Sequence, residues 1–167
     1  MFESAEIGHK IDKNSYKVEE PVLREALLDI QYELKEYGKF PVIILINGVD
    51  GAGKGETVNL LNEWMDPRLI STQAFGKCSD EERERPRMWR YWRALPANGR
   101  IGILFGSWYS DPIIGRVTGD FKTSELDHQI DEIVRFEKML AHDGVVLLKF
   151  WFHLSKEKQQ NRLKQLE

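Results

Sequence analysis

Apolar positions along the chain follow two alternating patterns. Short aliphatic runs at 42–46, 102–105 and 145–150 have the length and composition of buried parallel strands, and a further strand is predicted over 69–75. Segments with apolar residues every three or four positions predict helices over 20–36, 54–64, 80–95 and 124–142, and Ser155 is placed to cap one more. Strands that alternate with helices predict an α/β fold, a three-layer sandwich with helices on both faces of a parallel sheet.

Length and charge limit the organisation of the chain. Its 167 residues, 41% of them hydrophobic, are enough for one well-filled core. We expect an N-terminal arm over 1–18 and one folded domain over 19–167. The net charge of −3 does not favour nucleic acid or an anionic membrane as a partner, so a polyanion would need a local basic patch.

The sequence also bears on the compartment. Cys78 is the only cysteine, which excludes an internal disulfide and suits a reducing environment. No stretch has the roughly 18 apolar residues of a membrane span, and the first ten residues lack the apolar core of a signal peptide. We therefore expect a cytoplasmic protein.

The segment PVIILINGVDGAGKGET at 41–57 is the strongest chemical signal in the chain. The predicted strand is followed by a turn with four glycines, and Lys54 lies between the last two of them, at the start of a helix. Such a turn brings backbone N–H groups and the Lys54 ammonium to one anion, in the spacing of a Walker A phosphate-binding loop. Gly55 departs from that pattern, because a Ser or Thr normally reaches Mg²⁺ there. The alternative is an ordinary strand-to-helix turn, which would need neither the lysine nor so many glycines.

A second signal is the segment KCSDEERERPRMWRYWRALP at 77–96. On a continuous helix, Arg83, Arg87 and Arg90 would share one side and Arg93 would extend it, which suits phosphate oxygens. The alternative is a solvated face whose arginines pair with nearby carboxylates, namely Asp80, Glu81, Glu82 and Glu84. The interleaved aromatic residues are predicted to pack on the sheet rather than to stack on nucleic acid.

These segments together resemble the polyphosphate kinase 2 family, which are P-loop kinases that use inorganic polyphosphate as phosphoryl donor. The resemblance runs from about residue 20 to the end. It is carried by GVDGAGKGET, by the arginine segment ending in ALPANG, by SWY at 107–109 and by RFEKMLAHDGVVLLKFWFHLSKEKQ with Arg162 beyond it. The resemblance is strongest to members that have two tandem domains and convert AMP to ADP. This chain resembles the first of those two domains.

The resemblance implies a P-loop kinase fold, Mg²⁺ as cofactor, and polyphosphate and a nucleoside mono- or diphosphate as substrates. It also implies a second domain of the same chain, with a homo-oligomer as a further possibility. Phosphates would be held by the loop, by Gly48, Gly51, Ala52, Gly53, Lys54, Gly55, Glu56 and Thr57.

Three residues are expected to be catalytic by this resemblance: Asp50, Lys54 and Arg90. Asp50 would also bind the metal and position the acceptor, although a carboxylate there could equally cap an Asx turn. Arg83 and Arg93 would contact the nucleotide or the polyphosphate chain. A nucleophilic role for Ser107 is not supported, since no partnered His motif accompanies it.

One departure from the family bears on activity. In active members Phe-Asp-Arg precedes SWY and the Asp is a metal carboxylate, whereas this chain has Leu104, Phe105 and Gly106. Asp111 stands where the family usually has a basic residue. A phenyl ring offers Mg²⁺ no oxygen ligand, so we expect a weakly active or inactive domain that binds phosphate. The chain also stops where a lid normally begins, which predicts a fragment of a longer protein.

Two kinds of function therefore stay open at the level of sequence. The chain is either the degenerate part of a polyphosphate-dependent phosphotransferase or a non-catalytic module that binds polyphosphate in a structural or regulatory role. A nucleoside or thymidylate kinase is the outside alternative, and it would need a base-recognition pocket.

Overall fold

The structure, a computed structural model, describes residue 8 and residues 10–164. Seven helices and four strands alternate along this part of the chain, joined in one place by a short 3₁₀ helix, Pro67–Leu69. The elements are α1 Lys13–Tyr37, β1 Val42–Gly48, α2 Lys54–Trp64, β2 Ile70–Ala74, α3 Asp80–Arg83, α4 Trp89–Arg93, β3 Ile101–Phe105, α5 Ser110–Thr118, α6 Thr123–His142, β4 Val146–Phe152 and α7 Lys156–Lys164.

The four strands form one parallel sheet in the order β2-β3-β1-β4. Ile44 of β1 pairs with Ile103 of β3 on one side and with Leu148 of β4 on the other. The carboxyl ends of the two central strands meet, since Ile46 pairs with Phe105 and its carbonyl accepts a hydrogen bond from Gly106. Ligands of such sheets bind beyond this edge.

Two apolar clusters cover the two faces of the sheet. Alternate residues of β1 enter different clusters, because neighbouring side chains of a strand point to opposite faces. One cluster packs α4 and α6 on the sheet through Ile43, Leu45, Tyr91, Leu104, Trp108, Ile133, Phe136 and Leu140. The other packs α1 and α2 through Leu34, Ile44, Ile46, Val58, Met65, Ile101 and Ile103. The predicted α/β fold with helices on both faces is confirmed.

The first helix begins earlier than predicted. α1 starts at Lys13 rather than at residue 20, so the expected arm over 1–18 is wrong for its last six residues. Asp12 causes the early start, because its carboxylate accepts the backbone N–H groups of Asn14 and Ser15. Residues 1–7 and 9 of the expected arm lie outside the described part of the chain.

The helix predicted over 80–95 is also wrong. Two short helices replace it, α3 and α4, and Pro86 lies between them. Proline has no N–H to donate and restricts the residue before it, so the chain turns here and Trp89 donates to the Pro86 carbonyl. The arginines of this segment therefore do not share a single helical face.

One helix was not predicted at all. α5 contains Pro112 and Gly115, together with β-branched residues, and this composition conceals its helical character. Gly115 is required by packing, since a Cβ there would overlap the ring of Phe121. α5 brings Ser110 and Ile113 to the ligand-binding edge of the sheet. Among the described residues, no helix is long and apolar enough to cross a bilayer.

Candidate phosphate-binding site

The glycine loop joins β1 to α2 at the carboxyl edge of the sheet. Gly48, Gly51 and Gly53 have φ angles of 140°, 78° and 91°, which side-chain-bearing residues rarely adopt. A Cβ on Gly48 would also overlap the carbonyl oxygen of Phe152 on the neighbouring strand. Glycine at position 48 therefore lets the loop begin directly against β4.

The first turn of α2 has no side-chain cap. Gly53 is its N-cap residue, in the left-handed conformation and without a side chain to accept the N–H groups that follow. The Thr57 hydroxyl donates back to the Gly53 carbonyl at 3.0 Å, and Glu56 pairs with Arg162 of α7 at 3.2 Å. A helix N-terminus of this kind favours an anion, because its N–H groups and its dipole both point toward the loop.

Lys54 lies at the centre of the loop. Its Nζ donates to the carbonyl oxygens of Gly48 and Val49, both at 2.8 Å, and lies 3.3 Å from the Asp50 carboxylate. The Lys54 side chain is 16% exposed, whereas that of Asp50 is 89% exposed. The loop thus holds a mostly buried ammonium in place and leaves the Asp50 carboxylate largely in solvent.

A cleft of about 400 Å³ opens beside the loop, and we call it the loop cleft. Among the residues that the structure describes, Asp50 and Lys54 are the only charged ones that line it. The rest of the lining is largely apolar and comprises Ile46, Asn47, Gly48, Ala74, Phe75, Gly76, Phe105, Gly106, Ser110, Ile113, Ile114 and Trp151.

A smaller space of about 230 Å³ lies over the loop itself. It is lined by Asp50, Gly51, Gly53, Lys54, Gly55, Glu56, Phe105 and Arg162. Phe105 lines this space as well as the loop cleft, because β3 ends next to β1. The position where the family resemblance expects a metal carboxylate therefore faces the loop, and a phenyl ring occupies it.

The predicted arginines are only partly brought together. Arg83 pairs with Asp80 on the surface at 2.9 Å, and Arg87 contacts α6, where it pairs with Glu132 at 3.0 Å. The expectation that Arg83, Arg87 and Arg90 share one side is thus wrong, since Pro86 interrupts the helix. Pairing with nearby carboxylates, the alternative drawn from the sequence, is what the structure shows for Arg83 with Asp80 and for Arg90 with Glu82.

Arg90 and Arg93 do meet, in a polar pocket of about 280 Å³ that we call the arginine pocket. Arg93 lies over the ring of Trp89, with 4.8 Å between the guanidinium carbon and the ring centroid. Arg90 donates to the Gly76 carbonyl at 3.1 Å and pairs with Glu82 at 3.2 Å. The pocket is lined by Gln73, Phe75, Glu82, Trp89, Arg90, Arg93 and Ala94.

A charged network fixes the corner after β3. The Glu137 carboxylate of α6 accepts from Trp108 Nε1 at 3.0 Å, from the Tyr109 hydroxyl at 2.7 Å and from Lys149 Nζ at 2.9 Å. The hydrogen bond to Glu137 raises the pKa of Lys149, and burial, followed by the bond to Glu137, raises the pKa of Tyr109. The network therefore keeps Lys149 charged and Tyr109 neutral, and it holds this corner against α6.

The sequence profile of the polyphosphate kinase 2 family matches residues 10–167. The chain belongs to this family. The recognition made from the glycine loop and SWY is thereby confirmed. A polyphosphate kinase 2 family member named polyphosphate:AMP phosphotransferase, from Pseudomonas aeruginosa, is 61% identical over the whole chain. The chain spans 34% of that relative's length.

Solved structures of polyphosphate kinase 2 proteins have the same fold. A crystal structure of a polyphosphate kinase 2 from Pseudomonas aeruginosa aligns with a TM-score of 0.94 at 61% identity, over 98% of this chain and 36% of the other. One from Arthrobacter aurescens aligns with a TM-score of 0.89 at 29% identity, over 95% of this chain and 58% of the other. In both comparisons the solved chain is much longer than the part that matches.

The described residues do not fit a resident magnesium ion of the kind expected from the polyphosphate kinase 2 resemblance. Mg²⁺ needs oxygen ligands in near-octahedral geometry. Around the glycine loop, the exposed carboxylate of Asp50 is already paired with Lys54, that of Glu56 is paired with Arg162, and Phe105 supplies no oxygen. No group of three or more potential metal-binding side chains occurs within residues 8 and 10–164.

Sequence reasoning missed two residues of the site. Asn47 lines the loop cleft, and its side-chain oxygen accepts from the hydroxyls of Ser107 and Ser110 at 3.1 and 3.4 Å. Arg162 lines the space over the loop, although only the family resemblance had drawn attention to it. The position of Asn47 just before Gly48 was a usable signal, because residues at the carboxyl end of a central parallel strand lie at the ligand-binding edge of the sheet.

Proposed function

We propose that this chain is a phosphate-binding domain of a polyphosphate-dependent nucleotide phosphotransferase. The longer enzyme would transfer a phosphoryl group from polyphosphate to AMP, with Mg²⁺, and yield ADP. The observation that carries the proposal is the uncapped N-terminus of α2 with Lys54 at the centre of its glycine loop. Membership of the family and 61% identity to a polyphosphate:AMP phosphotransferase support the substrate class.

Each predicted site residue has a place in this proposal. Lys54 contacts a bridging or terminal phosphate oxygen, and Asp50 faces the acceptor side of the loop cleft. Arg90 and Arg93 contact a more distant phosphate, while Arg83 lies further out and adds attraction at longer range. Phosphates are cradled by the backbone of the loop, at Gly48, Gly51, Ala52, Gly53, Gly55, Glu56 and Thr57.

Within the longer enzyme this domain would bind rather than turn over substrate. Phosphoryl transfer depends on positioning and on stabilisation of charge by metal ions and cations. The phenyl ring of Phe105 faces the loop where the resemblance expects a carboxylate, and Gly106 supplies no charge. Backbone N–H groups and Lys54 do not depend on that carboxylate, so phosphate binding would persist without catalysis.

A non-catalytic module that binds polyphosphate is the second candidate, and Phe105 favours it for the same reason. The two candidates differ only in what the rest of the protein does. We still predict that the same chain has a second domain and that it forms a homo-oligomer.

Titration calorimetry with tripolyphosphate and with AMP tests the proposed binding. Lys54→Ala removes the ammonium but leaves the loop backbone, and charged hydrogen bonds contribute about 1.5–3 kcal/mol, so we expect affinity to fall roughly tenfold or more. Lys39→Ala, an exposed lysine outside the loop, is the matched control. Equal affinity for Lys54→Ala and the parent would overturn the proposal.

A further inference from the structure

The arginine pocket already contains a negative charge of its own. One oxygen of Glu82 lies 3.2 Å from Arg90 Nε, and the other accepts the backbone N–H of Ser79 at 2.8 Å. The bond from Ser79, together with the charges of Arg90 and then Arg93, lowers the pKa of Glu82. The carboxylate is therefore ionised at neutral pH and lies where an anion would bind.

The Arg90 guanidinium lacks one of its hydrogen-bond partners. Its side chain is 8% exposed, and its Nε forms no aligned hydrogen bond even though Glu82 is close enough for an ion pair. A buried N–H without a hydrogen bond is costly, and groups of this kind often mark a place for a ligand. An incoming oxygen with better alignment would therefore be favoured at Arg90.

The arginine pocket lies directly beside the loop cleft. Phe75 lines both spaces, and the Arg90 guanidinium lies over its ring at 5.0 Å from the centroid. Gly76, whose carbonyl accepts from Arg90, also lines the loop cleft. A chain of linked phosphates that starts at Lys54 could therefore continue toward Arg90, whereas a single small anion could reach only one of the two places.

We propose that Glu82 is a specificity-determining residue, whose carboxylate occupies the anion position of the arginine pocket and is displaced only by a multiply charged phosphate chain. This inference rests on the proposed function, which supplies the ligand class. A single small anion such as sulfate would take the place of the carboxylate at the arginine pocket alone and would also break the contact with Ser79. A phosphate chain gains more binding free energy, because it places several negative charges near Arg90, Arg93 and Lys54 at once.

Glu82→Gln tests this role, because glutamine has nearly the same shape and keeps an acceptor for Ser79. Without the competing charge, we expect tripolyphosphate to bind roughly threefold tighter or more. The affinity for inorganic sulfate should increase by a larger factor than the affinity for tripolyphosphate, so the preference for the longer anion should decrease. Glu81→Gln, which removes the same charge from an exposed neighbour, should change neither affinity nor preference.

The dependence on Arg93 separates this role from a structural one. In an Arg93→Ala background, Glu82→Gln should lose most of its effect on tripolyphosphate affinity, because the gain requires both arginines. Glu82→Asp keeps the charge but is one methylene shorter, so it should give a smaller gain and serves if Glu82→Gln fails to fold.

Calorimetry with tripolyphosphate and with sulfate provides the readout for all these variants. An affinity of Glu82→Gln equal to or weaker than that of the parent, while Lys54→Ala still binds weakly, would overturn the Glu82 proposal alone. Equal affinities of the parent and Lys54→Ala would instead overturn the proposed function.

Discussion

The side-chain amide of Gln31 bonds to both backbone polar groups of Asp66. Gln31 Nε2 donates to the Asp66 carbonyl at 3.0 Å, and the Asp66 N–H donates to Gln31 Oε1 at 2.7 Å. Gln31 is 1% exposed. Because α1 otherwise has a largely exposed surface, this pair and the adjacent Tyr32 hydroxyl fasten it to the turn after α2.

Gln31→Ala should therefore destabilise the fold. It leaves the buried N–H of Asp66 without a partner, whereas the Asp66 carbonyl keeps the hydrogen bond from Leu69 N–H. An unsatisfied buried group of this kind costs about 1–3 kcal/mol. We expect the free energy of unfolding to fall by about 1–3 kcal/mol in a urea titration. Gln160→Ala, on the exposed face of α7, should leave the midpoint almost unchanged. A midpoint for Gln31→Ala equal to that of the parent would contradict this prediction.

Low pH should weaken the hydrogen bonds that the side chain of Asp66 accepts. The hydrogen bond from the Arg68 guanidinium, followed by that from the Arg68 backbone N–H, lowers the pKa of Asp66 in the folded chain. A lowered folded-state pKa means that this stabilisation is complete above the unfolded value of about 4 and is lost as the pH falls further.

Melting temperatures measured from pH 7 to pH 2.5 provide the check. Asp66→Asn should lower the melting temperature at neutral pH and should flatten its decrease below about pH 4. Asp80→Asn, an exposed carboxylate paired on the surface, is the control and should keep the acid dependence of the parent. The same decrease in Asp66→Asn and in the parent would exclude Asp66 as a source of acid sensitivity.

Most of the sheet could be predicted from the sequence because β1, β3 and β4 contain aliphatic runs bounded by glycine and turn residues. β1 and α2 also have the order that the glycine loop requires, so the centre of the site followed from local pattern alone. The helix predictions failed where local composition and tertiary packing favour different structures. Pro86 divides a segment whose arginine and aromatic spacing looks continuous, and α5 forms despite Pro112 and Gly115 because it packs against α6.

The arginine pocket shows a second limit of sequence reasoning. Arg90 and Arg93 were expected at the site, but nothing in their spacing shows that Glu82 would occupy the space near both. That arrangement depends on the break at Pro86, which turns α3 back so that its third residue meets α4. The role of Arg162 likewise follows from the position of α7 over the loop, which depends on the end of β4.

Binding of a phosphate chain should depend on salt through Arg93. Arg93→Ala removes one partly exposed cation, so we expect a loss of roughly threefold to tenfold in tripolyphosphate affinity and a smaller decrease of that affinity with added NaCl. Arg90→Ala should weaken binding too, although it also removes buried contacts to Gly76 and Glu82. Lys39→Ala, which removes an exposed cation outside both the loop and the arginine pocket, is the control. Unchanged affinity and salt dependence in both Arg90→Ala and Arg93→Ala would identify these arginines as a solvated face.

The domain alone should transfer phosphoryl groups slowly or not at all. Phe105 faces the loop without an oxygen ligand, Gly106 carries no charge, and Asp111 adds repulsion against a highly negative substrate. With polyphosphate, Mg²⁺ and AMP, ADP or GDP, we expect rates at least roughly 10²-fold below the 1–100 s⁻¹ typical of kinases. Product can be followed by chromatography of the nucleotides, with Lys54→Ala as the background.

Phe105→Asp tests the cause of the low rate. An aspartate here would lie beside Asp50 and Lys54 at the edge of the loop cleft, so a second carboxylate would become available to a metal ion that enters with the phosphates. We expect Phe105→Asp to form product faster than the parent, whereas the apolar Phe105→Leu should not. Turnover of the parent at about 1–100 s⁻¹ would contradict the prediction, because another carboxylate would then have to replace the one that Phe105 lacks.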